Sequence, residues 1–136
     1  NFTSLLALSF YVPALLGVRF LPALLISFAL TDAYIGFHST VLFTWGSVLI
    51  IGLMSKYFLN NILKRICGAL TGAVIFFLIT NFGVWTSGFY GYTANGLIAC
   101  YTLALPFFAY SLISTAIFSG VIEGVYSQAK IFEKKY

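Results

Sequence analysis

From Cys67 to Trp85 the chain reads CGALTGAVIFFLITNFGVW, an uncharged run long enough to cross a bilayer as one helix. It opens on small residues and passes through an apolar block. It then gives way to the polar aromatic loop Ser87 to Asn95, SGFYGYTAN, which also carries no charge. Within the run Asn81 and Trp85 lie four residues apart and share one helical face. An amide near one end of a span reads as the wall of a binding site. The rest of the chain supports a membrane setting: 61% of the residues are hydrophobic, 7% are charged, and the mean hydropathy is +1.02. No soluble domain has that balance. At roughly 20 residues per span, the chain accommodates about five crossings. The expectation is an all-α polytopic transmembrane bundle, residues 1–136, as a single integral membrane domain.

Seven basic and three acidic residues give a net charge of +4, and in such a chain their placement carries more information than their sum. Arg19, the group Lys56, Lys64 and Arg65, and the tail lysines Lys130, Lys134 and Lys135 fall on one side if the helices alternate. The positive-inside rule makes that side cytoplasmic, with Asn1 and the loops at His38 and at Ser87 to Asn95 outside. The bacterial inner membrane is the expected location. The basic balance is therefore a topology signal and not a nucleic-acid footprint.

Taken in order, the first apolar run is Phe2 to Gly17, interrupted by Pro13 and short for a full span. Asn1-Phe2-Thr3 matches a glycosylation triplet. The chain opens without methionine or a basic leader, so a leader or a further helix before Asn1 is an open expectation. Pro22 suits the first turn of a second helix, Pro22 to Phe37. That helix holds Asp32, the only acid in the first 122 residues. Asp32 lies thirteen residues beyond Arg19, about 20 Å at the helical rise. An acid at that depth is a functional candidate or a helix-end residue solvated at the interface. Thr31, Tyr34 and His38 are near enough in sequence to bond to it.

The short loop Gly36 to Thr40 makes the second and third helices antiparallel neighbours. The third helix, Val41 to Tyr57, carries Trp45 close to its outer end, as an interfacial anchor or a ligand contact. FLNNIL then reads as an amphipathic link lying on the membrane surface. Gly68 and Gly72, with Ala69 and Ala73, form small-residue stripes on the fourth helix, and Gly120 and Gly124 continue the theme on the last. Such stripes admit a close helix, either internally or as docking faces for a partner subunit. Asn81, fourteen residues above Cys67, sits about 21 Å up its helix, level with Asp32. Trp85, Tyr90 and Tyr92 would close over that level as a lid, or form an interfacial aromatic loop.

The remaining segment is too long for one plain span, and Pro106 is expected to divide it into a short outer helix, Leu97 to Leu105, and a full span, Phe107 to Tyr126. Ser111, Thr115 and Ser119 repeat every four residues. Glu123 is expected to be solvated or paired with Lys130 near the cytoplasmic end. Cys67 and Cys100 fit no metal spacing, and a lone histidine makes no metal site. Neither a metal nor a cofactor is expected.

The blocks NFTSLLAL, SFALTDAYIGFHST, FFLITNFGVWTSG and GLIACYTLALPFF resemble those of a family of small bacterial membrane proteins described as transport proteins of unproven function. That family is similar to the substrate-binding S components of energy-coupling-factor vitamin transporters. The resemblance spans most of the chain, with TNFGVW followed by GLIACY its most specific part. It implies six spans, with a further helix before the NFT block, and it matches Asp32, His38, Asn81 and Trp85 to the family's polar positions. PFFAYSLIST departs from it, because similar sequences carry an arginine and an acid soon after the PFF block.

The resulting expectation is a membrane-embedded binding subunit for a vitamin-like molecule, with Asp32 and Asn81 bonding the ligand and Trp45, Trp85, Tyr90 and Tyr92 packing on it. Energy would come from partner subunits, since the chain has no Walker A or GxGxxG sequence. The alternative is an accessory or structural subunit of a larger membrane complex. With neither HExxH nor GxSxG, an enzyme is not expected.

Overall fold

The computed structural model describes residues 4–135. Asn1 to Thr3, and with them the glycosylation triplet, lie outside the described residues, as does Tyr136. The described chain is helical throughout its regular structure. α1 (Leu5–Tyr11) runs directly into a π-helical turn, Val12–Leu16. α2 (Leu21–Ile35), α3 (Val41–Met54), α4 (Ile62–Thr86) and α5 (Ala94–Lys135) follow. Four helical stretches, Val18–Ile35, Val41–Phe58, Ile62–Thr86 and Ala94–Lys135, are long and apolar enough to cross a membrane; Leu5–Leu16 is apolar but shorter.

Pro13 begins the widened turn at the end of α1, where its missing N–H removes one rung of the helical ladder. Gly17, at a φ of 104° that few other residues adopt, then reverses the chain. Arg19 follows in a single 3-10 turn before α2. FLNNIL spans the end of a 3-10 turn, a short link and the first residues of α4. Ser55–Phe58 is a 3-10 turn whose Phe58 ring packs edge-on against Phe10, and Asn61 caps α4 by accepting from the Lys64 amide at 2.9 Å. Leu59, Ile62 and Leu63 are exposed beside that cap.

The core lies in the half of the bundle nearest the basic residues. Leu6, Phe10 and Tyr11 of α1 meet Ile51 of α3 and Ala69 and Ala73 of α4 there, all buried. α4's small residues make this possible: a Cβ at Gly68 would lie 2.6 Å from a Phe10 ring carbon and 2.7 Å from the Phe58 Cβ, and one at Gly72 would lie 3.0 Å from Ile51 Cγ2. Gly68, Ala69, Gly72 and Ala73 are thus filled from within by α1 and α3, which corrects their assignment as a partner-docking face. Gly120 and Gly124 differ. They are exposed, with nothing within 4 Å of an added Cβ.

α5 contradicts the expected division at Pro106, which sits inside one continuous helix of 42 residues. At 1.5 Å per residue that is about 63 Å, twice the hydrocarbon thickness of about 30 Å. Proline denies the Thr102 carbonyl its usual donor. Contacts on both sides nevertheless hold the helix to α4: the Tyr101 hydroxyl donates to the Leu78 carbonyl at 2.6 Å, and Phe108 stacks on Phe77 at 4.3 Å. These contacts keep both halves on one line, so a lost rung does not break the helix.

Candidate functional site

The residues singled out in the sequence separate into four places. Asp32, Trp45 and His38 gather where α2 meets α3. The Trp45 indole N–H donates to Asp32 Oδ2 at 2.7 Å, while His38 Nε2 stands 3.8 Å from Asp32 Oδ1 and its Nδ1 shares a 2.8 Å hydrogen bond with Thr40 Oγ1. The carboxylate is 15% exposed and the imidazole 46%. Phe37 packs edge-on to Trp45. Thr31 bonds instead to the Ser27 carbonyl of its own helix, and Tyr34 is 94% exposed. Trp45 is therefore Asp32's partner across the helix pair, and this cluster is a polar clasp closing the α2–α3 corner.

Asn81 stands elsewhere. Its Nδ2 donates to the Phe77 carbonyl one turn back at 2.8 Å, which leaves Oδ1 as an acceptor. It lines a cavity of about 250 Å³ between α4 and α5, with Ala73, Phe76, Phe77, Thr80, Ala104, Phe107, Phe108 and Ser111. Two phenylalanines from each helix make the walls. Above the cavity α5 is tied to α4 through carbonyls that already serve the helix: the Cys100 thiol donates to the Asn81 carbonyl at 3.2 Å, and Tyr101 to that of Leu78. Phe43 of α3 packs against Gly83, so Trp45 and its partner Asp32 lie near the level of Asn81. The shared depth read from the sequence survives. The convergence does not, because Asp32 and Asn81 face different helix pairs.

The loop residues form the third group. Trp85 Nε1 donates to the Thr93 carbonyl at 3.3 Å, the Tyr92 hydroxyl to that of Thr86 at 3.1 Å, and the two rings meet edge-on. Tyr90 packs on Phe89. Trp85, Tyr90 and Tyr92 hold the α4–α5 turn in shape and do not line the α4–α5 cavity.

A fourth group was misread. Glu123 is 5% exposed and is not solvated at the end of α5. Arg65 of α4 grips it with two bonds, Nε to Oε1 at 2.6 Å and Nη2 to Oε2 at 2.8 Å, and the Tyr11 hydroxyl of α1 donates to Oε1 at 3.0 Å. Arg65 also reaches the Leu59 carbonyl at 3.1 Å and lies over the Tyr126 ring, which Lys130 approaches at 4.7 Å. Lys130 is thus a neighbour of the ring, and the acid's partner is Arg65. A planar guanidinium meeting a carboxylate in two bonds fixes the α4–α5 register more firmly than a lysine could.

Over residues 1–136 the chain matches DUF6580, a family of unknown function. The chain belongs to the DUF6580 family. No curated protein and no solved structure matches it. In this DUF6580 chain the half-open cavity beside Asn81 combines an aromatic wall with polar groups, and it is the candidate binding site. The clasp at Asp32 and the lock at Glu123 are spent on the protein's own side chains. Thr80, Phe77, Phe108 and Ser111 had not been singled out as cavity residues. Their signal was present in part, since Phe77 and Thr80 sit four and one residues before Asn81.

Proposed function

We propose that this chain is a membrane-embedded binding subunit for a small, uncharged molecule, and that the α4–α5 cavity is its site. The observation that carries the reading is the half-open cavity itself: four phenylalanines line it, and Asn81, Thr80 and Ser111 supply the polar points. This is the usual recipe of a small-molecule site, apolar walls with a few placed hydrogen-bonding groups. At about 250 Å³ it falls below the ~300–1,000 Å³ of drug-sized pockets, which suits a compact aromatic or heterocyclic molecule with a donor for Asn81 Oδ1. No charged side chain lines the cavity, so a phosphorylated or strongly ionised ligand is a poor match. An uptake role, with energy supplied by partner subunits and no catalysis by this chain, is what the resemblance of the TNFGVW and GLIACY blocks implies. The basic end would face the cytoplasm of a bacterial inner membrane.

One observation favours the alternative, an accessory subunit of a larger membrane complex. α2 buries only Leu21, leaving a broad apolar surface around the groove lined by Leu25, Ile26, Leu42 and Leu49. The test is the small-molecule content of protein purified from its native membrane, read by chromatography and mass spectrometry after denaturation. Wild type and Asp32→Ala are expected to release the same stoichiometric compound, and Asn81→Ala to release about tenfold less or none, as for loss of one buried hydrogen bond. Release from Asn81→Ala at the wild-type level would refute the site. Absence of any compound, with stable co-purification of other membrane subunits, would favour the accessory role.

A further inference from the structure

We propose that bound water threads a polar seam along α5, joining the α4–α5 cavity to the Glu123 carboxylate near the other end of the bundle. Ser111, Thr115, Ser119 and Glu123 recur every four residues and so form a single stripe on that helix. The stripe begins at the cavity, which Ser111 lines, and ends at the carboxylate held by Arg65 and Tyr11. Between those ends Thr115 and Ser119 are completely buried, at 0% exposure. Their hydroxyl oxygens have no hydrogen-bond partner among the described residues.

That last observation decides the matter. Serine and threonine inside a helix ordinarily return their hydroxyl to the carbonyl one turn back, as Ser9, Ser47, Thr71 and Thr80 do here. Thr115 and Ser119 do not. The Ser119 hydroxyl lies close enough to that of Tyr11 to interact with it, although no hydrogen bond of ordinary geometry joins them. A buried hydroxyl left without a partner costs about 1–3 kcal/mol, and two in succession on one stripe call for an occupant. Residues four apart on a helix stand about 6 Å apart along its axis, the span that one water covers with a hydrogen bond of roughly 2.8 Å on each side.

A cation is the weaker choice, because the Arg65 guanidinium already neutralises Glu123. Across the seam the antiparallel register, set by Phe77 on Phe108 and Arg65 on Glu123, brings up the small-residue stretch of α4 around Ala69. A hydrated seam makes Ser111, Thr115, Ser119 and Tyr11 one hydrogen-bonded path from the cavity to a buried ion pair. It does not depend on what the cavity binds.

Hydroxyl-radical labelling by X-ray pulse tests this, since radicals formed from bound water mark buried side chains beside it and leave dry ones unmarked. Tyr11 at 2% exposure and Phe10 at 0% form the internal comparison. Corrected for intrinsic reactivity, Tyr11 is expected to label at least about threefold faster than Phe10. Thr115→Val with Ser119→Ala is expected to bring Tyr11 down to the Phe10 rate while leaving exposed Tyr34 unchanged. The variant Thr115→Ser, which keeps a hydroxyl, is expected to retain the label. Equal rates for Tyr11 and Phe10 in the wild type mean a dry seam and overturn the proposal. So does a Tyr11 rate undiminished in the double variant. The wild-type comparison stands alone if that variant fails to fold.

Discussion

Replacing Glu123 by alanine is expected to destabilise the folded protein by about 3–5 kcal/mol, the cost of leaving one partner of a buried ion pair alone. The substitution strands the Arg65 guanidinium among α4, α5 and the Ser55–Phe58 turn, with only the Leu59 carbonyl and the Tyr126 ring for company. It also strips the Tyr11 hydroxyl of its acceptor. Three helices loosen together, because the carboxylate is where α1, α4 and α5 meet. Removing both charges is expected to behave differently: Arg65→Met with Glu123→Leu leaves no buried charge and should recover most of the loss. Unfolding in mixed micelles across the four proteins of that cycle gives the coupling. Additive losses in the double variant would mean that Arg65 and Glu123 act independently.

The second large effect is expected at Gly68. A valine there would place its Cβ 2.6 Å from the Phe10 ring and 2.7 Å from the Phe58 Cβ, before its two methyl groups are counted. Overpacking of this kind costs about 1–3 kcal/mol, and both neighbours are rings with little freedom to retreat. The control is Gly120→Val on α5, where an added Cβ meets nothing within 4 Å and stability should change by less than about 0.5 kcal/mol. The same pair of variants separates internal packing from subunit docking. If Gly68→Val keeps wild-type stability but sheds a co-purifying subunit, the α4 stripe is a docking face after all.

Much of the fold was legible because hydrocarbon leaves a chain few options. The spans follow from apolar length, and the turns between them from Gly17 and the Gly36 to Thr40 loop, whereas the Asn61 cap lies in a stretch that reads as a surface link. Pro106 misled because proline was weighed by local geometry alone; the tertiary contacts through Tyr101 and Phe108 that hold both sides of it have no local signature. Asp32 and Asn81 do share a depth, as helical rise dictated. Depth says nothing of azimuth, and Trp45 claims Asp32 from the neighbouring helix. The Glu123 lock could have been found. Ser111, Thr115 and Ser119 were recognised as a four-residue repeat, and Glu123 is its next member. Arg65 likewise precedes Ala69 and Ala73 by whole turns on the buried face of α4. Reading those two stripes through to their ends would have turned both charges inward.

Native mass spectrometry of the intact protein, wild type beside Ala104→Phe, tests the binding reading most directly. Ala104 lines the α4–α5 cavity, and a phenylalanine there fills it without removing a polar group or touching the Asp32 clasp. The expected result is a single small-molecule adduct on the wild type that is absent from the folded variant. The same adduct carried undiminished by Ala104→Phe would contradict the account, because the bound molecule would then sit outside the cavity on which the proposed function rests.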